Sequence, residues 1–123
     1  MLPLIEFRVL DKNSVYFGVD MKTLMNNAGT ILSDFILEQW PKSRKILFLC
    51  GSGDNGGDGY VAARTLKSLG IGCTIIPITP PKSDLCVLNS ELWEGHVATL
   101  EDLEFEINSS DVIVDAMLGS GIS

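Results

Sequence analysis

Nine consecutive residues, Gly51-Ser52-Gly53-Asp54-Asn55-Gly56-Gly57-Asp58-Gly59, hold five glycines, two carboxylates and an amide. Gly51, Gly53 and Gly56 fall in G-x-G-x-x-G spacing, between a short apolar run and a helical pattern. In that context backbone N–H groups meet anions. Glycine allows a tight turn and a close approach, and the following helix adds about half a positive charge at its start. A pyrophosphate is the natural ligand. A second group, Asp115-Ala-Met-Leu-Gly-Ser-Gly121, ends an apolar run in a carboxylate and continues as a Gly-Ser-Gly turn. A carboxylate there serves as a cation ligand, a proton-transfer group or a helix cap.

The rest of the usual dinucleotide fingerprint is absent. An ordinary nicotinamide dehydrogenase places an acidic residue at the end of its second strand to hold the adenosine ribose. Here that stretch reads Ile76-Pro77-Ile78-Thr79. The carboxylates lie inside the glycine string instead, where they would repel a phosphate unless they face hydroxyls, N–H groups or a cation. A P-loop requires a lysine that the string lacks, a calcium loop starting at Asp54 would need Glu where Thr65 stands, and no G-x-S-x-G elbow occurs.

Positioning these residues requires a frame. Lys45–Cys50, Cys73–Ile78 and Asp111–Asp115 are short apolar runs suited to strands buried on both faces of a parallel sheet. Val97–Leu100 is a shorter candidate. Gly51–Gly59 reads as a turn and Tyr60–Leu69 as a helix stopped by Gly70. A further helix opens at Ser83 or Asp84 and ends near Gly95. Upstream, Met21, Leu24, Met25, Ala28, Ile31, Leu32, Phe35 and Ile36 recur at three- and four-residue spacing, which predicts a helix capped by Asp20 and closed by Pro41. Gly29 within it predicts close backbone packing. The fold class is α/β: a Rossmann-like three-layer αβα arrangement with a mostly parallel sheet, preceded by an N-terminal helix. With strand order 3-2-1-4, the glycine string and Asp115 face one crevice.

Composition bounds the rest. A chain of 123 residues with 46% hydrophobic and 20% charged side chains makes one folded domain. No apolar run approaches the ~18 residues of a membrane span. The net charge of -7 and the lack of a basic cluster speak against nucleic acid. Residues 61–123 carry nine acidic and three basic side chains, read as a solvated acidic face. Three cysteines without CxxC spacing and a single histidine, His96, read as a surface or loop residue, fit neither a disulfide framework nor a zinc site. The expected location is cytoplasmic.

The strings Gly51–Gly59, Val114–Gly121 and Leu24-Met-Asn-Asn-Ala-Gly29, in this order, resemble the YjeF N-terminal domain family, which includes the NAD(P)H-hydrate epimerases. Two positions depart from the family pattern, Asp54 and Asn26 standing where it usually has Asn and Glu. The family's later Asp-x-Pro-Ser-Gly motif does not occur. Residues 1–123 are therefore expected to be a single domain truncated at its C-terminal end. That expectation leaves Asp111–Asp115 as an uncovered apolar edge prone to self-association.

The resemblance implies an isomerase that interconverts the R and S forms of hydrated NADH and NADPH. It implies fusion or partnership with a dehydratase that consumes the S form; a homo-oligomer is expected from the uncovered edge instead. By the same resemblance Asp54, Asn55, Gly56, Gly57 and Asp58 contact substrate, and Gly119, Ser120, Gly121, Ile122 and Ser123 begin a second substrate loop. Asn55 and Asp115 hold a potassium ion, close enough together for one cation to touch both, and Asp115 acts as or positions the acid/base group. The alternative is a non-enzymatic Rossmann-like binding or dimerisation module.

Overall fold

The computed structural model describes residues 4–11, 16–22 and 27–117. Six strands make one sheet among them. In chain order the elements are β1 (Leu4–Asp11), β2 (Tyr16–Lys22), α1 (Ala28–Gln39), β3 (Lys45–Cys50), α2 (Asp54–Ser68), β4 (Gly72–Pro77), α3 (Asp84–Leu92), β5 (His96–Val97), a 3-10 turn (Leu100–Asp102), α4 (Leu103–Ser109) and β6 (Val112–Ala116). The strand order is β2-β1-β6-β3-β4-β5.

The centre matches the expectation. β3 pairs in parallel with β4 on one side and β6 on the other, and β5 adds to β4 in parallel. β3 and β6 alternate between two cores because successive side chains point to opposite faces. Ile46, Phe48, Cys50, Val112, Val114 and Ala116 join Leu32, Ile36, Ala62, Ala63 and Leu66 of α1 and α2 in the larger core. Leu47 and Ile76 face the other way with Ala98, flanked by Leu49, Ile113 and Leu103 of α4. Helices thus cover both faces, unequally.

The N-terminal part departs from expectation. Residues 16–22 form a strand, and the helix begins only at Ala28, with Asn27 rather than Asp20 as its N-cap. Phe7 and Val9 are fully buried while Arg8 and Leu10 are exposed, a strand's period of two. β1 pairs antiparallel with both β2 and β6. The apolar edge expected at β6 is therefore covered, and that argument for self-association falls away. Phe17 of β2 meets Phe35 and Trp40 edge to face, and the Trp40 indole donates to Asp11 Oδ2 at 2.8 Å, fixing α1 on the hairpin.

A second correction concerns the glycine string. Only Gly51–Gly53 form the turn, and Asp54–Gly59 are already helical. The glycines there serve close packing. A Cβ on Gly56 would lie 2.1 Å from the Gly51 carbonyl oxygen, and one on Gly59 3.0 Å from both Ala116 Cβ and Cys50 Sγ. Gly29 plays the predicted role on α1, where a Cβ would stand 2.5 Å from Val61. Gly70 stops α2 with φ at 89°. His96 is exposed, as expected, and lies 3.6 Å from Glu106. Leu103–Ser109, assigned to no element from sequence, is helical.

Candidate active site at the carboxyl edge of the sheet

α2, which leaves β3, and α4, which enters β6, cover opposite faces of the sheet, and the carboxyl ends of β3 and β6 lie side by side between them. The Gly51 N–H donates to the Ala116 carbonyl at 3.1 Å, so the turn after β3 is bonded to the end of β6. Gly59 of α2 rests on Ala116. Asn55 lies four residues earlier on the same helix stripe, one turn nearer the edge. The structure therefore brings Asn55, the first turns of α2 and Asp115 to one edge.

Asp115 alternates with the core residues Val114 and Ala116 and is half-buried. Its Oδ1 accepts a hydrogen bond from the Met117 N–H at 3.0 Å, which orients the carboxyl group at the start of the outgoing loop. β1 adds a group that sequence reasoning missed. Arg8 stands directly opposite Asp115 in the antiparallel ladder. No signal pointed to it, because β1 itself went unrecognised.

Asp54 is exposed, whereas Asn55, Gly56, Gly57 and Asp58 are buried. Burial pushes the Asp58 carboxyl up from 3.8 to about 6, and the neighbouring Asp54 charge pushes it the same way. Asp58 therefore keeps its proton to higher pH than an ordinary surface carboxylate.

The turn is held from the far side by the loop after β4. The Ser52 carbonyl accepts from the N–H groups of Lys82 and Ser83 at 2.9 and 3.1 Å. The Cys86 thiol donates to the Gly51 carbonyl at 3.4 Å. Ser83 caps α3, its Oγ accepting from the Cys86 N–H at 3.1 Å. A Cβ on Gly57 would stand 3.2 Å from the Cys86 backbone. Burial raises the thiols of Cys50 and Cys86, and all three cysteines are free and buried, a packing role rather than a reactive one.

Among the described residues no group of three His, Cys, Asp or Glu side chains is arranged to hold a metal ion. Gly119, Ser120, Gly121, Ile122 and Ser123, expected in the second substrate loop, lie outside the described residues, as do positions 24–26 of the upstream motif. No helix among the described residues is long and apolar enough to cross a membrane.

The bifunctional NAD(P)H-hydrate repair enzyme Nnr of Pyrobaculum aerophilum is 39% identical over 129 residues, covering 96% of this chain and 26% of that protein. The protein of the same name from Archaeoglobus fulgidus is 37% identical, covering 95% of this chain and 25% of its own length. The NAD(P)H-hydrate epimerase of Legionella pneumophila is 29% identical and is covered over 46% of its length. The chain thus spans from about a quarter to just under half of these curated relatives. The crystal structure of yeast ynu0 shares the fold, with a TM-score of 0.52 at 22% identity over 63% of this chain and 37% of that one. Residues 21–123 match the family described as YjeF-related protein N-terminus, and the chain belongs to that family.

Proposed function

We propose that this chain carries the epimerase activity of NAD(P)H-hydrate repair, interconverting the R and S forms of hydrated NADH and NADPH. One observation carries the reading. The glycine-rich start of α2 and the Asp115 carboxylate share one edge at the switch point of the sheet, bonded through Gly51 and Ala116. Close relatives in sequence bear the names of NAD(P)H-hydrate epimerase and repair enzymes.

In this reading the N–H groups at the start of α2 bind the dinucleotide's phosphates. Asp54, Asn55, Gly56, Gly57 and Asp58 line the substrate. Inversion at the hydrated carbon needs a proton moved and charge stabilised, with no hydride transfer. Asp115, held by the Met117 N–H, holds or moves that proton. Gly119–Ser123 complete the substrate loop.

A potassium ion fits the donor set. Asn55 offers an amide oxygen and Asp115 a carboxylate. This oxygen set of low total charge suits a monovalent ion better than a transition metal. When bound, the ion would supply positive charge beside the carboxylates of α2. Self-association, partnership with a dehydratase and a cytoplasmic setting belong to the same proposal.

The test is direct. The protein is incubated with the R form of hydrated NADH, and the S form is followed by chromatography, in potassium and again in tetramethylammonium buffer. The reading expects S to accumulate above the spontaneous rate and faster in potassium. No acceleration over the spontaneous rate would refute the activity, and equal rates in the two buffers would refute the ion.

A further inference from the structure

The loop between β4 and α3 holds one feature that the reading above does not use. In a doubly wound sheet the end of the second strand lies beside the adenosine ribose of a bound dinucleotide. A carboxylate there selects a free 2′-hydroxyl, and a cation accommodates a 2′-phosphate. Here the connection after β4 reads Ile78-Thr79-Pro80-Pro81-Lys82-Ser83, with no acid and one cation. Asp84 comes only after it, as the first residue of α3.

The position of Lys82 is fixed. Its N–H and that of Ser83 both donate to the Ser52 carbonyl, and the Ile78 N–H donates to the Cys50 carbonyl at 2.8 Å. Pro80 and Pro81 stiffen the span between these anchors. The lysine is thereby pinned to the turn that opens α2. Its side chain is exposed, and among the described residues it makes no ion pair or hydrogen bond. Asp54 and Asp58 stand at the start of α2, in a chain of net charge -7. A phosphate-rich ligand entering there meets few cations. The rigid loop lowers the entropy lost when this one is engaged.

We infer that Lys82 is a specificity-determining residue that reads the extra phosphate on the adenosine ribose, so the site favours the phosphorylated dinucleotide. The inference rests on the epimerase reading above and names which of its two substrates is preferred.

Two measurements on the full chain test it. The first is calorimetric binding of 2′-phospho-ADP-ribose and of ADP-ribose. The unaltered protein should bind the phosphorylated probe more tightly. Lys82→Gln should weaken that probe about tenfold, the loss of one charge-assisted contact, and change ADP-ribose by less than twofold. Lys82→Arg should restore the difference. The second is epimerisation kinetics. Lys82→Gln should raise KM for hydrated NADPH while leaving kcat, and KM for hydrated NADH, within twofold. Equal weakening of both probes, or none, would overturn the proposal and leave the epimerase reading intact. A preference for the unphosphorylated probe would also overturn it and point to Asp84. If the unaltered protein neither binds a probe nor epimerises either substrate, the epimerase reading fails and the role of Lys82 fails with it.

Discussion

Replacing Asp58 by asparagine should stabilise the fold, because burial and a neighbouring charge oppose ionisation of the carboxyl. The carboxyl is buried on α2, and its pKa rises from 3.8 to about 6 through burial and the Asp54 charge. A folded-state pKa above the unfolded value means that the folded protein holds this proton more tightly. The contribution to stability is therefore best at low pH and is lost as pH rises between about 4 and about 6. Two pKa units at about 1.4 kcal/mol each amount to roughly 3 kcal/mol of penalty at pH 7.5. At pH 5 the folded carboxyl is still mostly protonated, and the same linkage gives about half that figure. Asp58→Asn keeps the shape and removes the charge. In urea unfolding the variant should exceed the parent by about 2 to 3 kcal/mol at pH 7.5, and the gap should shrink by about half at pH 5. A gap that does not vary with pH, or a variant less stable than the parent at pH 7.5, would refute the reasoning by showing that the ionised carboxylate has favourable partners. The gain in stability should come with loss of epimerisation, the exchange expected where a strained site serves function.

Other substitutions probe the frame and the chemistry. Gly56→Ala drives a Cβ against the Gly51 carbonyl, which the backbone cannot avoid, and should cost about 3 kcal/mol or more by chemical denaturation. Ser83→Ala removes the cap of α3 and should cost about 1 kcal/mol; because Ser83 also neighbours the Ser52 carbonyl clamp, thermal melting and substrate KM should shift together. Asp115→Ala should abolish epimerisation with an unchanged circular dichroism spectrum, since the residue ends a strand and is half-buried; activity like that of the parent would remove Asp115 from the mechanism.

The centre of the fold was legible because its signals do not compete. The apolar runs Lys45–Cys50, Cys73–Ile78 and Asp111–Asp115 are too short for helices and are separated by turn and helix patterns, which leaves parallel strands. The strand order assumed for right-handed crossovers, 3-2-1-4, is the order of β5, β4, β3 and β6. Elsewhere two periods collided. Met21, Leu24, Met25 and Ala28 fit a helix, while Phe17 and Val19 fit a strand, and the strand won where β1 offered it a partner. Leu103, Phe105 and Ile107 alternate with Glu104 and Glu106 as a strand would, yet they form α4, with Phe105 67% exposed. The glycine string misled about conformation but not about place. Glycine is a poor helix former in isolation, and only the neighbouring turn, α3 and β6 show why α2 needs it. Lys82 carried a sequence signal in the missing acid after β4, but its anchoring to Ser52 is visible only in three dimensions.

The glycines at the start of α2 also set an order of assembly. Gly56, Gly57 and Gly59 weaken the local helix by roughly 2 to 3 kcal/mol relative to alanine. Tyr60–Ser68 carries no such handicap and includes the fully buried Ala62, Ala63 and Leu66. The second half of α2 can therefore nucleate on β3 early, whereas the first half becomes helical only when the turn, α3 and the end of β6 have closed around it. Side chains in Asp54–Gly59 should accordingly show low φ-values and the earliest loss of amide-exchange protection under mild denaturant, well before β3. The glycine-rich edge is then the last part of the domain to form and the first to open, so a partly folded chain presents its central sheet before that edge is assembled.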